Sequence, residues 1–302
     1  MRGYNESLWT LGVKAALVQA AELNEEPSLV GVVAERVEST TKTENYPWIG
    51  EAFAMRLLRG ELETQGLSDT VYSITNDRYE IGLRIHKDHL KDDQLGAQMK
   101  RVQQMSDIAL RFPNKLIVAA LEAATSLSGH DGVSFFNNTH PARTAQGSAF
   151  DNLLAGTGAT TAAVKADLQS AIATLQGART EAGEPFPGRA RFAALIPPLL
   201  MGPMNEAIFG QIVGNNSNVA LRGMTIEPIV SARLTDANDW YLLDVSGSAK
   251  PLIFQEAQKV ESGWLGPESE HCFKTNECIA KVGWRGAVGY GHFALAAKIV
   301  NA

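Results

Sequence analysis

Between Tyr79 and His86 apolar and polar residues alternate one for one. Tyr79, Ile81, Leu83 and Ile85 interleave with Glu80, Gly82, Arg84 and His86. Period two sustained over a run this long predicts a strand with one dry face and one wet face. The triplet Thr75, Asn76, Asp77 is turn chemistry, and residues 71–75 before it are short and β-prone, so the pattern predicts a hairpin. A second period runs through Trp9, Val13, Ala16, Ala20 and Leu23, one face of an amphipathic helix over 3–23. A third runs through Leu95, Met99, Val102, Met105 and Ala109 and resumes in the Ala-rich stretch 116–127. Asp92 and Asp93 suit the start of that helix, where negative charge meets the positive end of the dipole. They could also hold a divalent ion, but capping accounts for them. Uninterrupted, this would be a helix of about 35 residues, roughly 50 Å long. Pro113 lies inside it and predicts a kink or break, since proline removes a backbone hydrogen bond.

Further along, 129–150 reads as loop, with Phe135 and Phe136 inside it. Val164, Leu168, Ile172 and Leu175 mark another helix ending at Gly177. Residues 192–196 form a short buried strand, and Pro203 suits the first position of a helix to about 213. The last 80 or so residues read as β-rich, with strands at 225–234, 240–245, 252–258 and 279–288. Residues 293–300 are a last strand or helix. Strands and helices do not alternate, so the expected class is mixed α+β rather than a doubly wound parallel sheet.

Composition narrows the function. In 302 residues, 27 Lys and Arg stand against 33 Asp and Glu, a formal charge of −6. An acidic balance argues against tight, sequence-independent DNA binding. Cys272 and Cys278 are too few for a disulfide scaffold, their spacing matches no common zinc knuckle, and both read as reduced thiols. No apolar run is long enough for a membrane span, and the first residues carry no secretory signal, so the expectation is a soluble chain made in a cytosol.

Catalytic constellations are thin. His130, Asp131 and His140, with Asn137 and Asn138, could ligate a metal or form a His–Asp pair. Their spacing matches no zinc motif and Ser134 lacks a nucleophile elbow, so loop ordering is the stronger reading. The glycine-rich stretch 286–291 opens no helix and precedes no acidic ribose ligand, and it reads as a bend between strands. The expectation is no enzyme, no cofactor and no metal. What remains is a greasy hairpin. If 37–87 projects from the body, Trp48, Tyr72, Ile74, Tyr79, Ile81 and Leu83 need a neighbour's cover, a gross gain of roughly 10 kcal/mol before ordering costs.

An ordered series of short motifs carries a resemblance. It begins with Ser39-Thr-Thr-Lys-Thr-Glu-Asn-Tyr-Pro-Trp-Ile-Gly50, then Met55-Arg56 and Arg59-Gly60-Glu61. It continues with Tyr72-Ser-Ile-Thr-Asn76, Arg78-Tyr79-Glu80 and Asp92-Asp93-Gln94-Leu95-Gly96. His130-Asp131-Gly132, Phe135-Phe136, His140, Trp240-Tyr241-Leu242-Leu243-Asp244 and the ending 285–298 complete it. In this order the chain resembles the major head subunit of Mu-like phages and prophages. The match is tight over 37–140 and looser over 145–235.

The resemblance implies the Hong Kong-97-type capsid fold: an N-terminal arm at 1–36, an E-loop hairpin at 37–87 and a peripheral domain with a long spine helix at 88–149. An axial domain at 150–260 and a return to the peripheral domain at 261–302 complete it. It further implies a major capsid protein that self-assembles through pentamers and hexamers into an icosahedral shell around double-stranded DNA. That DNA would be held without sequence-specific contacts. The implied partners are other copies of the chain, a scaffold protein, a maturation protease, a portal and a decoration protein, with no membrane. The implied location is the virion, assembled in the bacterial host cytoplasm. Trp48, Tyr79, Ile81 and Leu83 are the expected apolar interface residues, and Arg56, Arg59, Arg78 and Glu80 the expected charged ones. Two rivals are a gene-transfer particle or nanocompartment shell of the same fold, and a hydrolase using His130, Asp131 and His140.

Overall fold

The computed structural model describes residues 28–47, 72–91, 97–140, 149–179, 190–210, 212–213, 216–217 and 223–301, together with position 15. Strands β1 (Ala34–Glu38), β2 (Thr43–Tyr46), β3 (Tyr72–Thr75) and β4 (Asp77–His86) lead into helices α1 (Lys87–Lys91) and α2 (Ala97–Ala123). After β5 (Leu153–Ala155) come α3 (Thr161–Gly177), β6 (Arg191–Ile196), a 3-10 turn at Pro198–Leu200 and α4 (Met201–Phe209). Two-residue strands β7 (Ile212–Val213) and β8 (Asn216–Ser217) precede β9 (Thr225–Val230) and β10 (Trp240–Asp244). The long β11 (Leu252–Leu265), α5 (Glu270–Thr275), β12 (Glu277–Tyr290) and β13 (Ala296–Val300) follow.

Beside the two-stranded pairs β2–β3 and β7–β8, two larger sheets organise the described residues. One runs β1-β11-β12-β4, the other β5-β13-β10-β6-β9. In the first, β1 lies parallel to β11 and the remaining neighbours are antiparallel. The second is mixed, with β5 parallel to β13, β6 parallel to β9, and β10 antiparallel to both its neighbours. This is the expected α+β class. β11 joins the first sheet from Leu252, and β13 returns to the second. β11 pairs with β12 from Leu252 opposite Tyr290 to Leu265 opposite Ile279, with two irregularities between Glu256 and Glu261.

The second sheet is covered on both faces, which is why its central strands read as unbroken apolar runs. Phe192, Ala194, Ile196, Trp240 and Leu242 pack with Val164, Leu168, Ile172 and Leu175 of α3. The alternate residues Ala193, Leu195, Tyr241 and Leu243 face a larger core that also holds Leu252, Phe254 and Trp284 of the first sheet. One hydrophobic core thus joins the two sheets. Helix α3 begins where Thr160 caps it, its side chain accepting from the Ala163 N–H, and ends at Gly177 as the sequence predicts. The helix predicted from Pro203 starts earlier, at Met201, and ends at Phe209.

Helix α2 spans 27 residues and runs through Pro113 without a break, a length of about 40 Å. Contacts on both sides of the proline hold it. Val102 and Met105 pack on Ala280 and Val282 of β12, while Ile117, Val118 and Leu121 enter the large core. Asn114 adds a tie, its side-chain oxygen accepting the Leu29 N–H at 3.0 Å. Local proline chemistry is outweighed by packing of the flanking turns. Asp92, Asp93 and the helix expected over 3–23 lie outside the described residues, save position 15, which is helical.

The glycine-rich stretch is not a bend. Gly286 and Gly289 sit inside β12 and Gly291 just after it. A methyl group on Gly286 would strike the Gln255 carbonyl oxygen and the Trp284 ring, and one on Gly291 would strike the Lys250 carbonyl. These glycines let neighbouring backbone and rings approach. Gly286→Ala therefore costs about 1–3 kcal/mol of stability as overpacking, read as a lowered urea midpoint with an unchanged slope.

Candidate assembly surface

Strand β4 carries the described members of the expected interface, and they are anchored on their own chain. Ten residues of β4 pair with β12, from Asp77 opposite Gly286 to His86 opposite Glu277. The Tyr79 ring lies 4.7 Å from Phe112 of α2 and stacks on Trp284 at 5.8 Å. Ile81 and Leu83 pack against the cluster of Val102, Met105, Ala280 and Val282. The ribbon β2–β3 is seated in the same way: Tyr46 and Ile74 are buried against Ile253. Tyr46 donates its hydroxyl proton to the Gln255 side chain at 2.7 Å. Burial pushes that phenol up to about 12, with the carboxylates of Glu44 and Glu35 adding to the effect. Helix α2 and strands β11 and β12 supply part of the cover for the described part of 37–87, and Tyr79, Ile81 and Leu83 remain half-buried. Trp48, Arg56 and Arg59 lie outside the described residues.

The charged members of β4 also find partners at home. Arg78 Nε lies 2.9 Å from Glu80 Oε1, and Lys281 Nζ approaches the same oxygen at 3.4 Å. All three are well exposed, so these pairs contribute about 0–1 kcal/mol each. Between β4 and α2 lies an open trough of about 960 Å³. Its strand wall is Arg78, Tyr79, Glu80 and Ile81, and its helix wall is Asp107, Ile108, Arg111, Phe112 and Lys115. Ile108 is 56% exposed there. The trough joins an apolar floor to a rim in which Arg78, Arg111, Lys115 and Arg233 outnumber Glu80 and Asp107.

The His–Asp constellation forms, and its partners are those of a loop tie. His140 Nδ1 lies 2.6 Å from Asp131 Oδ2, both side chains fully buried. The Asn152 amide donates to the carbonyls of Phe135 and Phe293, which turns its oxygen toward His140 Nε2 at 3.1 Å. That oxygen also accepts the Asn137 N–H at 2.8 Å. Both ring nitrogens of His140 thus face side-chain oxygens. The ring stacks flat on Phe293, 3.9 Å between centroids. Burial alone would raise the Asp131 carboxyl, but the His140 hydrogen bond and charge, helped by His130 and the Val133 N–H, hold it below the usual range. His130 stacks on Phe293 as well. Among the described residues no three His, Cys, Asp or Glu side chains converge to hold a metal.

The comparisons with known proteins bear on what such a surface is for. The family model described as Mu-like prophage major head subunit gpT matches residues 10–204 and 214–301. The chain belongs to this family. The head subunit is 26% identical over 278 residues to the major capsid protein of Escherichia phage Mu, covering 92% of this chain and 68% of that protein. It is 22% identical to the Mu-like prophage FluMu major head subunit of Haemophilus influenzae, covering 89% of this chain and 65% of the relative. The head subunit therefore spans about two thirds of the length of these curated relatives. Among solved structures, the procapsid of bacteriophage JBD30 superposes with a TM-score of 0.55 at 23% identity, covering 98% of this chain and 75% of that one. At that identity the likeness establishes the fold, which is the capsid fold expected from the motifs. The family is one of structural head proteins and not of enzymes, which sets aside the hydrolase reading of His130, Asp131 and His140.

The head subunit also exposes apolar side chains that the sequence reading passed over. Phe273 on α5 is 83% exposed, and Leu265 at the end of β11 is 47% exposed. Phe209, Leu199 and Met201 are exposed around α4. Phe273 directly follows Cys272 on a six-residue helix, and since Cys272 is buried its neighbour points elsewhere.

Proposed function

We propose that this head subunit assembles with copies of itself, through pentamers and hexamers, into an icosahedral shell that encloses double-stranded DNA. The family match along most of the chain is the observation that carries this reading. The formal charge of −6 fits a container wall that does not grip its contents. In this reading the shell is built in the bacterial host cytoplasm, with a scaffold protein, a maturation protease, a portal and a decoration protein as partners. The arm at 1–36 and the E-loop at 37–87 remain parts of the proposal. So do a peripheral domain with the spine helix at 88–149, an axial domain at 150–260 and a return to the peripheral domain at 261–302. A gene-transfer particle or nanocompartment shell would share the fold, and the match to head subunits is what favours the phage reading.

The trough between β4 and α2 is the proposed seat for a neighbouring subunit, with Arg78, Tyr79, Glu80 and Ile81 on one wall. Aspartate at Ile81 or Leu83 would damage the subunit's own core, so the informative position is Ile108. Ile108→Asp leaves the isolated subunit within about 0.5 kcal/mol of the parent. Shell yield, counted by electron microscopy after expression with a scaffold, falls by more than about tenfold. Shells at parental yield would remove the trough from the interface. A parent chain that forms no closed particle, with or without a scaffold, would remove the proposal itself.

A further inference from the structure

We propose that Cys272 and Cys278 form a built site for a reversible intramolecular disulfide. Cys272 lies on α5 and Cys278 near the start of β12, and both are fully buried. Their sulfur atoms are 3.0 Å apart, so a bond at about 2 Å needs a closure of only about 1 Å.

The local chain is arranged to hold this approach. Ser269 caps α5, its hydroxyl oxygen accepting the Cys272 N–H at 3.2 Å. Asn276 ends the helix in the left-handed region, at φ 53, and donates its N–H to the Cys272 carbonyl at 2.8 Å. That reversal turns the chain from helix to strand and brings Cys278 back beneath Cys272. Ile85, Leu90, Leu83 and Trp264 pack around the pair in one apolar cluster. The other side of α5 is open, with Phe273 in solvent. A helix this short opens locally at little cost, which gives a small oxidant its route.

The chemistry balances with a small-molecule disulfide such as oxidised glutathione. One cysteine, as thiolate, attacks a glutathione sulfur, forms a mixed disulfide and releases one glutathione thiolate. The second cysteine then attacks the protein sulfur of that mixed disulfide, closing the Sγ–Sγ bond and releasing the second. Two protein thiols lose two electrons and two protons, and one oxidised glutathione becomes two reduced molecules. In a reducing compartment the pair stays as thiols, and in an oxidising one it closes. Closure ties α5, and with it Phe273, to the end of the four-stranded sheet. Nothing in this inference depends on the assembly proposal.

The folded parent chain is incubated with oxidised glutathione, acid-quenched, alkylated in denaturant and digested with trypsin without reduction. Cleavage after Lys259, Lys274 and Lys281 separates the two cysteines. The expected product is peptide 260–274 joined to peptide 275–281, lighter than their sum by two hydrogen atoms and split by reductant. In a mixture of isotopically heavy and light chains, the joined peptides are heavy–heavy or light–light. Recovery of both peptides separately alkylated, a persisting glutathione adduct, or heavy–light pairs would each overturn the proposal.

Discussion

Replacing His140 by alanine lowers the unfolding free energy of the isolated head subunit by about 2–5 kcal/mol, the cost of emptying a large buried site and leaving a buried carboxyl without its hydrogen-bond partner. The Asp131 carboxyl then loses its partner at 2.6 Å, and the Asn152 oxygen loses one of its contacts. Phe293 loses the ring stacked on it. The urea midpoint of the dissociated subunit is the measurement. Its pH dependence gives a second reading. In the parent, Asp131 titrates below its ordinary value, so its contribution is fully present above about pH 4 and is lost as pH falls through the lowered value. In His140→Ala the strongest remaining influence on Asp131 is burial, which raises it. The carboxyl then takes a proton at higher pH, and the gap between parent and variant narrows in acid. A variant within 1 kcal/mol or so of the parent at neutral pH would mean that the pair does not hold the loop.

Trp284→Ala is expected to cost about 3–5 kcal/mol, the range for emptying a large aromatic site. The indole stacks on Phe254 at 5.3 Å and on Tyr79 at 5.8 Å, and meets Phe112 edge-on at 6.2 Å. Its N–H donates to the Glu256 carboxylate at 3.4 Å. One side chain therefore joins β4, β11, β12 and α2, and its loss loosens the sheet from the helix. Near-ultraviolet circular dichroism should lose its aromatic signature while far-ultraviolet helix content is largely kept, and shells should be lost with it. This contrasts with Ile108→Asp, which spares the subunit and removes only assembly. If Trp284→Ala keeps both its unfolding midpoint and its shells, the aromatic junction is not what unites these elements.

How much of this was readable from residues depends on which rule each segment obeys. Strand β4 declared itself because one face is buried and the other wet, so the period survives in the sequence. The period states that a dry face exists and says nothing of what dries it. Tyr79, Ile81 and Leu83 carry the period, while α2 and β12, one following in the chain and the other about two hundred residues on, cover them only in part. Pro113 carried a local rule that packing overruled. The glycines of 286–291 were visible, but their cause, the close approach of Gln255 and Trp284, exists only after folding. Family and fold were legible because an ordered set of motifs does not depend on knowing contacts. The exposed apolar groups were not, since Phe273 differs from a core phenylalanine only in where its short helix turns it.

Both sheets are closed by strands from opposite ends of the described chain. β4 joins β12, β1 joins β11, and β13 sits between β5 and β10. During synthesis, β1, β4 and β5 leave the ribosome long before their partners exist. The nascent chain must carry unpaired strand edges until β11, β12 and β13 emerge, the state in which polypeptides are most prone to aggregate. Closure of both sheets thus waits on residues 252–300, and a chaperone that shields open edges should raise the subunit's recombinant yield.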